Sequence, residues 1–457
     1  MDKKINTMTR SFKIITLGCK VNQYESAYLK ETLAQSGWLQ ALDKEKADLA
    51  IINTCIVTQR AAHQSRQAIR KAIRENPHSK IAAIGCYAQV YPDELKSIQG
   101  IWLIAGNTEK GLLPELLLHD KNLDRKSIIL NDFKTGTPFE FLKIKGFPGR
   151  TRAYLKIQDG CRSFCSYCIV PFARGPYRSL VPEKVLTMLK IFSRQEYKEV
   201  VLTGIHLGKY GIDLGKDVDL THLIREICKE GFPLRIRLSS IEPNEINDEL
   251  VDLVATEKSL CRHFHISLQN GDDKILKRMK RNYTAGEFAK IIKGIYERIP
   301  LAAIGADIIS GFPGEDPVAH KNTVSLIRDL PVSYVHVFPF SPRPLTAAFN
   351  FDGQVDPRVI KKRSGELRDL GLRKKSEFYH KCLKKEFQVL GEGWHSEEKK
   401  TMKGRSDNYI PVLFPSPRES TNQLIPVRIE SVEDNRVTGI AVSSRHAVNR
   451  SLPVSAR

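Results

Sequence analysis

Short apolar runs alternate with longer amphipathic stretches from the start of the chain. Phe12–Leu17 predicts a strand ending in Gly18-Cys19, and Glu25–Ser36 predicts a helix stopped by Gly37. Leu49–Ile52 predicts a second strand, followed by Asn53-Thr54-Cys55, and Gln59–Glu75 a long helix before Pro77. Ile81–Ile84 predicts a third strand, ending in Gly85-Cys86. Strands that alternate with helices of this length imply a parallel sheet with crossovers. Ligands of such sheets gather at the carboxyl ends of the strands, where all three cysteines fall.

Asp120 to Arg150 carries Gly136, Pro138, Gly146, Pro148 and Gly149 and reads as a linker. From Ala153 to about Pro339 the alternation resumes. Strands are expected at Val200–Leu202, Arg235–Leu238, His263–Leu268, Ala302–Ile309 and Val335–Pro339, with helices such as Pro182–Arg194 and Leu220–Glu230 between them. About six such units suit a partial (β/α)6 barrel better than a complete eightfold one. Beyond Asp356 a basic helix precedes the strand-like runs Tyr409–Phe414, Leu424–Glu430 and Val437–Val442, which imply a small β-barrel or sandwich. The fold class is therefore α/β, with a small β unit at the end.

The 457 residues are 41% hydrophobic, enough for two or three domains with their own cores. A formal charge of +20 makes a polyanion, RNA or DNA, the leading partner. Arg358–Ser406 concentrates this excess, with fifteen Lys and Arg against seven Asp and Glu. Arg60–Arg74 is a second basic run, and no aromatic ladder for base stacking is apparent. No apolar stretch of about 18 residues occurs, so no spanning helix and no membrane are expected. Met1 to Arg10 lacks the apolar run of a secretory signal, and a cytoplasmic location is expected. Nine cysteines in a chain of this kind point to metal binding or catalysis rather than disulfides.

Three of the nine are tightly grouped. Asp159–Gly175 reads DGCRSFCSYCIVPFARG, with Cys161, Cys165 and Cys168 spaced C-x-x-x-C-x-x-C. Three thiolates this close can hold three corners of a [4Fe–4S] cube and leave the fourth iron open. A structural zinc site would need a fourth ligand, and none is near in sequence. The chain resembles the radical S-adenosylmethionine (SAM) methylthiotransferases from about Phe12 to Val442. The matching pieces are TLGCKVNQYES (Thr16–Ser26), INTC (Ile52–Cys55), IGCYAQ (Ile84–Gln89) and CSYCIVPFARG (Cys165–Gly175). LTGIHLGKYG (Leu202–Gly211), RLSSIEP (Arg237–Pro243), RMKRNYT (Arg278–Thr284), DIISGFPGE (Asp307–Glu315) and HVFPFSPRPLTA (His336–Ala347) follow in order.

The resemblance implies an N-terminal domain over residues 10–120 and a linker over 121–146. It further implies a radical SAM core over 147–370 and an RNA-binding TRAM barrel over 373–442. It implies two [4Fe–4S] clusters, one on Cys161, Cys165 and Cys168 and an auxiliary one on Cys19, Cys55 and Cys86, with SAM as the second cofactor. It places SAM near Gly204, Ser239, Glu242 and Gln269; a glycine there lets backbone approach a ligand closely, and read alone it could equally be only a turn. It implies tRNA as substrate, with an electron donor and a sulfur source as further partners. CKVNQYES and SPRPLTA are similar to the branch that acts on N6-threonylcarbamoyladenosine beside the anticodon. Isopentenyladenosine in tRNA, a ribosomal-protein aspartate and a non-catalytic iron–sulfur RNA-binding protein are the alternatives. Placing sulfur on a ring C–H of adenine offers no acidic proton and no leaving group, so general base catalysis has nothing to act on. Radical chemistry meets that need.

Overall fold

The computed structural model describes residues 10–42, 45–119, 127–134 and 136–442. The amino-terminal residues before Arg10 and residues 121–126 of the expected linker lie outside these. Six parallel strands form the first sheet: β1 (Ser11–Thr16), β2 (Leu39–Gln40), β3 (Leu49–Thr54), β4 (Lys80–Gly85), β5 (Leu103–Ala105) and β6 (Ser127–Ile129), in the order β2-β1-β3-β4-β5-β6. β6 corrects the linker reading, because Ser127–Ile129 pairs with β5 and extends this sheet. Every residue of β3 is buried, as a parallel strand covered on both faces requires. Ile52 packs with Ala62 and Ile69 of the helix Gln59–Glu75, while Ile51 packs with Leu29 and Leu33 of the helix Lys20–Gln35. That second helix starts five residues earlier than its apolar pattern predicts, directly after Cys19.

β7 (Arg152–Lys156) opens the central domain, and the pair β8 (Gln158–Asp159) and β9 (Arg178–Ser179) brackets the cysteine loop. β10 (Glu199–Thr203), β11 (Arg235–Leu238), β12 (His263–Gln269), β13 (Ala303–Ser310) and β14 (Tyr334–Pro339) continue it. The parallel sets β7-β10-β11 and β12-β13-β14 join through bridges at Ile236–Leu260 and Ile241–Ile266, giving six strands curved into an open barrel. Val200, Leu202, Ile236, Phe264, Ile266 and Ile304 face the surrounding helices in one core. The alternate residues Glu199, Arg235, Arg237, His263 and His265 are buried and polar, so the barrel interior is a lined lumen rather than an oily plug. The helix Lys20–Gln35 packs along the β7 edge and the helix Pro357–Lys381 along the β14 edge.

The chain ends in a closed barrel of β15 (Glu386–Ser396), β16 (Thr401–Ser406), β17 (Pro411–Pro415), β18 (Leu424–Glu433) and β19 (Arg436–Ala441). Its core includes Phe387, Val389, Met402, Val412, Phe414, Val427 and Ile429. Residue 373, the boundary expected for this domain, falls inside the helix Pro357–Lys381, and β15 and β16 occupy sequence read as part of the basic run. Their charged residues alternate with buried Phe387, Val389 and Met402, a period-two signal masked by the Lys and Arg content. This barrel closes the amino-terminal mouth of the central one. Arg235 donates to the carbonyls of Gln388 (2.7 Å) and Arg405 (2.8 Å), and Arg237 to those of Asp407 (2.9 Å) and Ser406 (3.0 Å). Both arginines also hold Glu199. Burial raises the Glu199 carboxyl, but the two guanidiniums outweigh it and hold the group well below the carboxylate range.

Arg237→Met removes both carbonyl contacts and one counter-charge of buried Glu199, a change that costs roughly 3–5 kcal/mol for a broken buried pair. Trypsin is expected to cut the Lys381–Lys385 junction of this variant sooner than in the parent. Identical digestion kinetics would mean that these arginines do not clamp the two barrels together.

Candidate active site at the strand ends

The cysteine loop leaves β8 through Gly160, whose φ of +77° lies in the left-handed region. The Ser166 hydroxyl donates to the Arg278 carbonyl (2.9 Å) and its amide to that of Met279, tying the loop to RMKRNYT. Cys161 Sγ lies 3.4 Å from His206 Nδ1 and accepts from the Ser163 amide at 3.5 Å. Arg281 Nη1 donates to Cys165 Sγ at 3.2 Å. Burial pushes the Cys165 thiol up and carries Cys168 to about 12. At Cys161 burial also acts upward, but the His206 hydrogen bond and charge outweigh it and the thiol is lowered. His206 itself is raised to about 10: burial opposes its charge, while Cys161 and Glu245 favour it.

The four residues expected near SAM surround this loop. Gly204 follows β10, and a Cβ there would stand 2.9 Å from Gln158 Oε1, which accepts the His206 amide at 2.7 Å. Ser239 follows β11, 9% exposed, with an Oγ that has no hydrogen-bond partner. Glu242 Oε1 lies 2.9 Å from Arg281 Nη1 and 3.5 Å from His206 Nε2. Gln269 ends β12 with a φ of +67°, beside a register shift against β13. Tyr283 joins it to the rest: its hydroxyl donates to the Ser267 (2.5 Å) and Leu268 (3.0 Å) carbonyls and accepts from Arg281 Nε at 2.9 Å. Arg281 thus connects Cys165, Glu242 and the end of β12. Sequence reasoning passed over it, although it stands in RMKRNYT.

The second group of thiols sits across the domain boundary. Cys19 caps the helix Lys20–Gln35, Cys55 follows β3, and Cys86 opens the short helix Cys86–Val90. Gly18, at φ +92°, lets the first loop press onto Cys55; a Cβ would meet its Cβ at 2.8 Å and Sγ at 2.9 Å. Asn22 Nδ2 donates to the Leu17 and Thr54 carbonyls, holding the first two strand ends together. Asn107 Nδ2 donates to Cys86 Sγ at 3.4 Å and to the Ala173 carbonyl at 2.6 Å. Burial is the main reason the Cys55 thiol rises to about 12. Arg174, on the helix Val170–Arg174 behind the first cysteine loop, reaches over to Asn22 Oδ1 (2.6 Å) and to Glu25, and its charge acts on Cys19, Cys55 and Cys86.

These surroundings suit anionic sulfur. Two buried carboxylates, Glu25 and Asp159, share the four cations Lys110, Lys156, Arg174 and Arg178, an excess of positive charge beside the thiols. Arg174 Nε and Arg281 Nη2 are buried donors without partners. Among the described residues, the three-member ligand groups that close within 4.8 Å are His206–Glu242–Glu245 and His265–Asp307–His336. Neither thiol triad is among them.

An open six-stranded barrel with a C-x-x-x-C-x-x-C loop at its carboxyl end defines a radical SAM protein. The Radical SAM superfamily matches residues 155–327, and the family described as "Uncharacterized protein family UPF0004" matches residues 11–106. The chain is 39% identical over 377 residues to the threonylcarbamoyladenosine tRNA methylthiotransferase MtaB of Aquifex aeolicus, covering 82% of this chain and 91% of that one. Its counterpart in Bacillus subtilis is 36% identical, covering 91% and 92%. A tRNA-2-methylthio-N(6)-dimethylallyladenosine synthase of Dictyoglomus thermophilum is 32% identical, covering 92% and 95%. The chain belongs to the radical SAM methylthiotransferase family, and SAM and a [4Fe–4S] cluster are the cofactors of that superfamily. The fold is also similar to the radical SAM methyltransferase TsrM of Kitasatospora setae, with a TM-score of 0.56 at 17% identity over 75% of each chain. Among the described residues, no helix is long and apolar enough to cross a membrane.

Arg281→Met removes the donor to Cys165 and frees Glu242. SAM affinity is expected to fall about 10- to 100-fold, the usual cost of losing a residue that orients metal or cofactor ligands. Equilibrium dialysis with SAM on the iron-loaded protein checks this, and unchanged affinity would remove Arg281 from the site.

Proposed function

We propose that this chain adds a methylthio group to C2 of N6-threonylcarbamoyladenosine beside the anticodon of tRNA. The observation that carries the reading is the pair of thiol triads at neighbouring strand ends, bridged by Arg174 and Glu25, in a chain whose relatives from Aquifex aeolicus and Bacillus subtilis bear that activity in their names. Cys161, Cys165 and Cys168 hold one [4Fe–4S] cluster, and Cys19, Cys55 and Cys86 hold the second. When bound, these groups and SAM supply hydrogen-atom removal from an unactivated ring carbon and a sulfur atom to place there. Gly204 leaves room for SAM against Gln158, Ser239 and Glu242 offer it an acceptor and a charge, and Gln269 borders it. Arg281 orients Glu242. Arg174 and Glu25 set the spacing of the two thiol groups, and the surrounding burial excludes water. The C-terminal barrel and the helix before it hold RNA. An electron donor and a sulfur source complete the cycle.

Lys20 favours the threonylcarbamoyl substrate over isopentenyladenosine. It follows Cys19 directly, burial disfavours its charge, Tyr409 of the C-terminal barrel attracts its ammonium while Arg237 and Arg152 of the central lumen repel it, and it has no carboxylate partner among the described residues. The threonylcarbamoyl group carries a carboxylate, and the isopentenyl group carries none. Lys20→Gln is expected to raise KM for the tRNA at least tenfold while iron content stays at the parent value. An unchanged KM would remove Lys20 from substrate recognition.

Cys55→Ala tests the two-cluster assignment. The variant is expected to retain about half the iron and to release 5′-deoxyadenosine under a strong reductant, yet form no methylthiolated nucleoside by mass spectrometry of digested tRNA. Cys165→Ala is expected to lose both activities. A folded Cys55 variant that methylthiolates tRNA at the parent rate would overturn the assignment, and methylthiolation of isopentenyladenosine alone would overturn the substrate.

A further inference from the structure

A cavity of about 520 Å³ opens between the helix Pro357–Lys381, the β14 edge and the loop joining β16 to β17. Its size is within the range of small-molecule sites. Three cations line it, Arg368 and Lys375 from the helix and Arg405 from β16, and no Asp or Glu does. Lys375 and Arg405 come from separate elements and act on each other. Burial lowers the Lys375 ammonium, and the Arg405 charge lowers it further. Lys375 has no carboxylate partner among the described residues; its ammonium lies 5.5 Å over the Tyr379 ring. Arg405 stacks 4.6 Å over Tyr409 and pairs with Glu392 at 3.6 Å. Two like charges held together over aromatic faces are stabilised by an anion placed between them.

The rings supply the second half of the site. Tyr334 and Tyr409 also line the cavity, 6.1 Å apart at 30°, and Tyr409 stacks on His263 at 4.5 Å. His265 and His336 extend this wall toward Asp307 in the lumen. Strands β12 and β14 and the C-terminal barrel each contribute to it, so no run of sequence displays it. Three cations beside stacked rings, with Arg405 alone among them paired to a carboxylate, match a phosphate with an attached base. An acidic peptide would use the cations and leave the rings without purpose.

We propose that this cavity is a subsite for one nucleotide of the RNA substrate, its base against Tyr334 and Tyr409 and its phosphate between Lys375 and Arg405. The proposal rests on the tRNA reading and adds a place for a nucleotide other than the one that reacts. Tyr334 begins β14, and the five steps to Pro339 at the carboxyl end span about 17 Å at about 3.3 Å each. The reacting adenosine sits at that far end, near the thiols. The subsite therefore holds the RNA strand at a second point, away from the reacting adenosine.

The test uses the full-length, iron-loaded protein and a fluorescein-labelled anticodon stem–loop, with binding read by anisotropy over a salt series. Lys375→Glu is expected to weaken binding at least tenfold and to flatten the salt slope by about 0.7–0.9 for each phosphate that is no longer neutralised. Lys290→Glu, the same charge change on the exposed face of the helix Ala285–Arg298, is expected to leave both unchanged. A photo-crosslinker at Leu372, half-exposed on the cavity wall, is expected to label a nucleotide other than the modified adenosine. Unchanged affinity in Lys375→Glu, with the parent binding RNA, overturns the subsite and leaves the tRNA reading standing; a parent that binds no RNA overturns the tRNA reading. Adenosine 5′-monophosphate displacing the whole stem–loop at millimolar concentration would assign the cavity to a free nucleotide instead. Loss of polyglutamate binding with RNA binding intact would assign it to an acidic protein, and either result overturns the proposal.

Discussion

The buried pairing of Glu25 with Arg174 holds the two thiol groups in register, and the rest of the site follows from it. Glu25 lies on the first helix of the N-terminal domain and Arg174 on the short helix behind the radical SAM loop, and neither side chain is more than 2% exposed. A lone charge there would be prohibitively costly, so the pair is surrounded by Lys110, Lys156, Asp159 and Arg178. Burial pushes the Glu25 carboxyl up, but Arg174 and the two lysines more than reverse this and hold it well below the carboxylate range. A folded-state pKa depressed in this way stabilises the fold above the unfolded value of about 4.3 and ceases to do so as pH falls through the folded one. Sliding either domain would strand charges on both sides, so the two thiol groups keep one separation.

A similar device closes the opposite end of the barrel. Glu199 with Arg235 and Arg237 spans the inner strands, and the guanidiniums direct their remaining donors to carbonyls of the C-terminal barrel. Backbone carbonyls bind cations whatever the side chains are, so this joint constrains position rather than sequence. The C-terminal barrel is thereby held against the central lumen. This joint uses interior-facing positions of barrel strands, where alternation sends one residue to the apolar jacket and the next to the lumen, and Lys156 of β7 serves the first joint in the same way.

Much of the architecture was legible because it depends on local periodicity. The helix Gln59–Glu75 has the limits its pattern predicts, Thr58 accepting from the Ala61 amide as its cap. The helix at Lys20 begins earlier than predicted because Val21, Asn22, Tyr24 and Glu25 are buried, Tyr24 and Glu25 through contacts beyond their own domain, and polar Asn22 and Glu25 break the apolar pattern. β6 is three residues long, too short for any periodicity to register. The cysteines stand out in the sequence because thiols at strand ends and at C-x-x-x-C-x-x-C spacing are rare arrangements with few uses.

The partners of those cysteines were not legible. Arg281 is 116 residues from Cys165, Arg174 is 149 from Glu25, and Asn107 is 21 from Cys86. Read as sequence, each is an ordinary polar residue. The aromatic wall is the clearest case: no ladder is visible along the chain, yet His263, Tyr334 and Tyr409 stack because β12, β14 and the C-terminal barrel meet. Residue type and spacing are enough to dictate which elements form and which sulfur atoms fall at strand ends. Folding settles which charges and rings surround those atoms, because desolvation and Coulomb energy depend on distances that the chain closes only in three dimensions.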